Sequence, residues 1–193
     1  MGPPGSDNWH AMLDGAEAIL RDEGHAALTS RAVAERIGVK QRLVYYYFRT
    51  MDELVTEMFR RAAGRELTRL REACASDAPL RALWDIEVHT TDPRLISELM
   101  ALATRIEGLR SEVIHFIEES RHIQIDAIMA AMARSSKTSS IPAPALAMIA
   151  SSVALALTRE EQIGVKLGHG DMAAVIEAFL KEVEPAENKE RGS

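Results

Sequence analysis

The chain has 193 residues, enough for one large domain or a small domain joined to a medium one. Its composition, 47% hydrophobic and 27% charged, is that of an ordinary globular protein and excludes disorder throughout. Apolar runs fall well short of the ~18 to 20 residues of a membrane span, and the opening MGPPGSDN lacks the basic and apolar parts of a secretory signal, so a cytoplasmic location without a membrane partner is expected. A lone cysteine, Cys74, leaves no internal disulfide and no cysteine-built zinc site. The net charge of -6 is unevenly spread: Thr29 to Thr50 holds Arg31, Arg36, Lys40, Arg42 and Arg49 against Glu35 alone, a local +4. A basic window in an acidic chain suits a confined nucleic-acid footprint, although a solvated helix face would read the same. Tyr45, Tyr46, Tyr47 and Phe48 follow one another inside that window. On a helix such a run points in all directions, so part of it must face something polar.

Apolar positions recur at three and four throughout, with no sustained period of two, so the expected class is all-α. Asp7 or Asn8 can cap a first helix with the stripe Met12, Leu13, Ala16, Ile19 and Leu20, ended by Gly24. Thr29 caps a short helix, Ser30 to Ile37; Gly38 ends it, and a second short helix runs from about Lys40 to Tyr47. Two short helices joined by a tight glycine turn have the geometry of a helix-turn-helix, whose second helix enters the major groove. Thr50-Met51-Asp52-Glu53 fits a capping box opening a long helix with the stripe Leu54, Val55, Met58, Ala62 and Leu70, to about Cys74. About five further helices are marked by Asp77 to Pro79, Asp92-Pro93, Ser111-Glu112, Pro142 to Pro144, and Asp171 after Gly168 and Gly170. Ser135 to Ser140 reads as a polar loop, and the residues after Pro185 as a solvated tail.

Gly24 through Leu54, GHAALTSRAVAERIGVKQRLVYYYFRTMDEL, resembles the DNA-binding signature of the TetR (tetracycline repressor) family of bacterial transcriptional regulators. The matching residues are Gly24, Leu28-Thr29, Ala34, Gly38-Val39, Val44-Tyr45, Phe48, Asp52 and Leu54, at the family spacing and without gaps. The resemblance implies a helix-turn-helix DNA-binding domain of three helices in residues 1–50, a helical bundle for ligand binding and dimerisation in 51–185, and a tail in 186–193. It also implies a homodimeric regulator, a repressor released from a palindromic operator in double-stranded DNA by a small, largely apolar inducer. No enzyme activity and no cofactor are expected.

Carried over residue by residue, Arg31 matches a position that can read a guanine, to which arginine is suited by its two parallel donors. Gln41 and Arg42 stand at the N-terminal end of the recognition helix, where base edges are met. Ser30, Tyr45, Tyr46 and Tyr47 match positions that hold the phosphate backbone. Val33, Ile37, Val39, Val44 and Phe48 read as the domain's own core. The sequence departs from the family pattern twice. Met51 replaces a lysine, so one phosphate contact would be missing or supplied by Arg49, and Lys40, itself counted with the DNA-binding residues, stands where a hydroxyl usually caps the recognition helix.

In the C-terminal part the resemblance implies a pocket among the central helices, which carry Trp84, Leu99, Met100, Ala103, Ile106, Phe116, Ile123 and Met129; flexible methionines suit an apolar inducer. Dimerisation would use the last two helices, with Leu146, Val153 and Leu157 beside the small Ala150 and Ala154 on one, and Val175, Ile176, Phe179, Leu180 and Val183 on the other. Their periodicity fits an internal core equally well. An alternative reading takes His115, Glu119 and His122, spaced four and three on one helical face, as metal ligands of a metal-responsive regulator or a hydrolase. No nucleophile elbow, P-loop, glycine-rich dinucleotide motif or H-E-x-x-H stands in the sequence to drive an enzyme.

Overall fold

In the computed structural model, which describes residues 2–89, 92–135 and 139–184, every regular element among the described residues is a helix. They are α1 (Asp7–Glu23), α2 (Ser30–Arg36), α3 (Gln41–Tyr47), α4 (Met51–Cys74), α5 (Pro79–His89), α6 (Pro93–Ala103), α7 (Glu107–Ser135), α8 (Ala143–Gln162) and α9 (His169–Val183), with a single 3-10 turn at His25–Ala27. The all-α expectation holds. The expected tail and residues 136–138 of the polar loop lie outside the described residues.

The chain packs as two units. The first comprises Met1–Leu67 with Asp92–Ile117, and the second Thr68–Thr91 with Glu118–Ser193.

In the first unit α1 buries the face its 3.6-residue period announces, Met12, Leu13, Ala16, Ile19 and Leu20. Each large apolar side chain so buried contributes about 1.5 to 3 kcal/mol. Val33 and Ala34 of α2, Val44 and Tyr47 of α3, and Leu54, Val55 and Met58 of α4 close on that face, with Leu99 and Ala103 of α6 and Leu109 and Val113 of α7. Phe59 meets Phe116 edge to face, ring centres 5.9 Å apart. The N-cap of α1 is Ser6, whose Oγ accepts from Trp9 N at 3.4 Å; Asp7, expected as a cap, is already the first helical residue. Thr29 caps α2 as expected, accepting from Ala32 N at 3.1 Å, and Asp92 caps α6 through Arg94 N and Leu95 N. The capping box of α4 forms with a shift. Thr50 Oγ1 accepts from Glu53 N, but the Glu53 carboxylate takes the N–H of Arg49 and not that of Thr50.

Helix α7 starts four residues before the Ser111 expected to open it, at Glu107. Ser111 sits within the first turns and donates back to the Glu107 carbonyl at 3.2 Å, a bond open to serine inside a helix as well as at its start. Helix α9 likewise begins at His169, following Gly168 at φ 84°, so Asp171 lies in its first turn and does not precede it.

Acidic side chains tie α1 and the 3-10 turn to their neighbours. Glu98 of α6 accepts from His25 N at 2.9 Å and lies 2.5 Å from His25 Nδ1. The His25 backbone N–H, followed by its ring, holds the Glu98 carboxyl below its ordinary value of 4.5. A carboxyl that resists protonation only when folded contributes stability that is whole above that ordinary value and is lost as the pH falls through the lower native one. Glu98→Gln is therefore expected to melt at a lower temperature than wild type at pH 7, with the difference narrowing in acid. A constant difference from pH 7 to pH 3 would contradict this.

In the second unit α5 packs on α8, and Leu80, Leu83, Ala127, Ile128, Ala131, Ala147, Ala154, Leu180 and Val183 are buried. Arg81 of α5 grips Glu177 of α9 with two bonds, 2.9 and 3.2 Å long. Glu184, just past α9, is buried with its carboxylate on the backbone N–H groups of Leu80 and Arg81.

Candidate nucleic-acid interface

The sequence between α2 and α3 reverses the chain in four residues, and Gly38 carries the reversal at φ 72°, in the left-handed region that side chains rarely enter. Val39 N then donates to Ala34 O at 2.9 Å, closing α2. Helix α3 has seven residues and two faces. Val44 and Tyr47, with Phe48 just after the helix, point into the core, whereas Gln41, Arg42, Tyr45 and Tyr46 point out, the last two 53% and 52% exposed. That outward set is the face a major groove would meet.

Of the four expected phosphate-holding residues, Ser30 and Tyr47 are buried. Tyr47 is 7% exposed and its hydroxyl accepts from Ser6 Oγ at 3.1 Å, so its ring belongs to the core and only Tyr45 and Tyr46 remain on the surface. The segment before α1 holds it there. Gly2 N donates to Tyr46 O at 2.8 Å, and a Cβ at Gly2 would lie 2.5 Å from the Tyr47 ring, so only glycine fits that approach. Nothing in the first eight residues marked them as part of this site.

Ser30 is buried, between Gln41 and Tyr45. Gln41 Nε2 donates to Ser30 Oγ at 2.9 Å, and Ser30 Oγ donates to Tyr45 OH at 3.0 Å. Ser30 thus holds two members of the outward face in place, and Gln41 still has its carbonyl oxygen and second amide hydrogen to offer a partner. Lys40 leads α3 with no side-chain cap, as its substitution for a hydroxyl residue foretells.

The five cations of the basic window do not share one fate. Arg36 is spent on Asp22 and Glu23 of α1. Arg31 is fully exposed and bonded to Glu35 at 2.8 Å, a hydrogen bond that raises its pKa further; an exposed pair of this kind gives way readily to a better acceptor. Lys40, Arg42 and Arg49 are exposed with no acidic partner among the described residues. Met51 packs against the core, leaving Arg49 as the cation at that corner.

The C-terminal candidates are distributed as follows. Leu99 and Ala103 are sealed in the core of the first unit, and Ile106 and Phe116 pack against it, while Met100 is exposed. Trp84 and Ile123 are half-buried in the second unit, and Met129 is 59% exposed. Of the residues expected to dimerise, Ala154, Leu180 and Val183 are buried inside the unit itself, the other role their periodicity allowed; Leu146, Ala150, Val153, Leu157, Ile176 and Phe179 are half-buried and Val175 is exposed. Among the described residues no three His, Cys, Asp or Glu side chains are grouped to hold a metal. Glu119 turns to Arg71 at 3.4 Å, so the metal alternative on His115, Glu119 and His122 is not supported. No helix among the described residues is long and apolar enough to cross a membrane. The sequence reading missed Glu87, Gln124 and Ser151, bonded to one another across α5, α7 and α8. Each is a single polar residue in an ordinary helical period, which carries no local signal.

Residues 12–58 match the family model for bacterial regulatory proteins, tetR family. Among solved structures, Escherichia coli NemR in its reduced form aligns with a TM-score of 0.77 at 18% identity, covering 92% of this chain and 98% of its own. A transcriptional regulator from Saccharomonospora viridis in complex with choline aligns at 0.74 and 15% identity, covering 90% and 95%. Salmonella enterica GusR aligns at 0.71 and 13% identity, covering 94% and 97%. At these identities the likeness establishes the fold. No curated protein matches the sequence.

Proposed function

We propose, from the premise that this chain belongs through residues 12–58 to the TetR family of bacterial regulatory proteins, that it is a DNA-binding transcriptional repressor. It would act as a homodimer on a palindromic operator and be released by a small ligand bound in its C-terminal part. The observation that carries this reading is the division of α3: Val44, Tyr47 and Phe48 anchor it from behind while Gln41, Arg42, Tyr45 and Tyr46 stand free in front. Two such helices about 34 Å apart on a two-fold axis fit successive major grooves. Apolar side chains left open on the last two helices, Met148, Ile149 and Val175, support a subunit interface there. The choline complex of a structural neighbour supports a small-molecule response. Helices α4 and α7 each have residues in both units, so a ligand that prefers one arrangement of the second unit would act on the reading heads along them.

Selection of binding sites from random duplex DNA at two salt concentrations tests the reading. A palindrome with a steep salt dependence is expected; no enrichment by folded, ligand-free protein overturns it. On the selected operator, Arg31→Ala should lose roughly ten- to a hundredfold in discrimination at one base pair, because its bidentate contact to a guanine goes. Tyr46→Phe should weaken all sequences alike, since a hydroxyl on phosphate positions without reading. Unchanged discrimination at every position in Arg31→Ala would remove Arg31 from base reading.

A further inference from the structure

The segment ahead of α1 is built as a strap across the end of α3. Pro4 and Gly5 take the two central places of a turn that Ser6 N closes by donating to Pro3 O at 3.4 Å, and Gly5 has φ 81°. Proline followed by a glycine in the left-handed region is what a type II turn requires, so the reversal is fixed by its own residues and sends Gly2 back to α3. A turn already shaped in this way lowers the conformational entropy lost when the strap is laid down.

The last carbonyls of a helix have no donor within it. Phe48 N closes α3 on Val44 O, and Gly2 N donates to Tyr46 O at 2.8 Å, supplying from outside a donor that the helix lacks. Gly2 is buried, and a Cβ there would stand 2.5 to 2.7 Å from three atoms of the Tyr47 ring. Ser6, at the other end of the turn, caps α1 and donates to Tyr47 OH at 3.1 Å. The Tyr47 ring meets the Tyr46 ring edge to face, centres 5.4 Å apart. The exposed Tyr46 is therefore held twice, its backbone by Gly2 and its ring by a neighbour that Gly2 and Ser6 fix.

We propose that residues 2–6 are a positioning device for DNA binding. The strap sets the place from which the Tyr46 hydroxyl reaches a phosphate, and Gly2 and Ser6 act through Tyr46 without meeting nucleic acid themselves. This rests on the DNA-binding reading above and adds the residues that set its grip. A hydroxyl on a phosphate carries no sequence information, so the strap governs affinity and leaves base preference alone. A side chain at position 2 either pushes the Tyr47 ring, and Tyr46 with it, or lifts the strap and leaves Tyr46 O without its donor. Tyr46 is displaced in both cases.

Tyrosine ring signals of the full chain, read by NMR without DNA, and equilibrium affinity for the selected operator test the strap. Gly2→Val and Gly5→Val should each shift the Tyr46 and Tyr47 signals. Gly5 has open space around it, so Gly5→Val disturbs the turn alone and reads the strap even if Gly2→Val folds poorly. Each variant should weaken operator binding about tenfold, the size of a lost hydrogen bond to a charged acceptor, and equally on operators that differ at one base pair. In a Tyr46→Phe background neither should weaken binding further, because the hydroxyl they displace is already gone. Losses that add in that background mean that the strap holds the fold or touches DNA itself, and overturn the proposal. Losses confined to particular base pairs, or tyrosine signals that stay in place, overturn it too. An enriched operator that both variants bind as tightly as wild type does overturns the strap alone. A chain whose tyrosine signals move as described but which enriches no DNA overturns the regulator reading, and with it the strap's role in DNA binding, leaving only its hold on Tyr46.

Discussion

Leu54→Ala is expected to destabilise the first unit by about 2 to 5 kcal/mol and to take operator binding with it. Leu54, in the first turn of α4, has no exposed surface and lies in the cluster where α1, α2 and α3 meet α6 and α7. Alanine there loses the transfer free energy of the removed methyl groups and leaves a void that closely packed neighbours fill only in part. The same cluster holds Val44, Tyr47 and Phe48, which aim the outward face of α3. Loosening it therefore disorders the reading face before any DNA-contacting residue has changed. Since a domain's whole stability is about 5 to 15 kcal/mol, the loss should appear as an early transition in thermal melting followed by Trp9, which lies against this cluster. A melting curve that matches wild type would mean that the packing of α4 on the helix-turn-helix does not hold it together.

Glu184→Ala is expected to free the N-terminus of α5 and destabilise the second unit by about 1 to 3 kcal/mol for each buried N–H left without an acceptor. Helix α5 begins at Pro79, which has no N–H to satisfy. Its first free donors, Leu80 N and Arg81 N, both point at the Glu184 carboxylate, at 2.9 and 3.1 Å for Leu80 and 3.2 Å for Arg81. The negative charge also suits the positive end of the helix dipole. Glu184→Gln retains one acceptor oxygen and should lose less than alanine does. Urea unfolding of the two variants reads the difference, and equal losses would show that Glu184 acts by bulk alone.

Whatever depends on neighbours within a turn or two was legible in the sequence. The stripe of α1, the Thr29 cap, the Gly38 reversal, the Thr50 start of α4 and the Asp92-Pro93 start of α6 all follow from side-chain spacing and backbone chemistry that no distant residue alters. These are enough to place α2 and α3 as a helix-turn-helix and Gln41, Arg42 and Tyr45 at its front. The local signals misled where one residue type serves two purposes. Ser111 can cap a helix or bond back within one, and it does the second; Asp7 can cap α1, but Ser6 stands one residue earlier.

Tertiary structure alone decided which way each aromatic of the run Tyr45 to Phe48 faces, because four consecutive residues cover a helix on every side and the core cluster, with Ser6, Gly2 and Trp9 beside it, takes in Tyr47 and Phe48. It alone brought Glu98 to His25, Glu184 to the start of α5, and Glu87, Gln124 and Ser151 together. Each of these is a hydrogen bond between residues 27 to 104 positions apart. Helical period, caps and turns are set by energies between near neighbours and are written along the chain; a buried polar partner is set by which helix faces meet, and periodicity constrains the face without naming its partner.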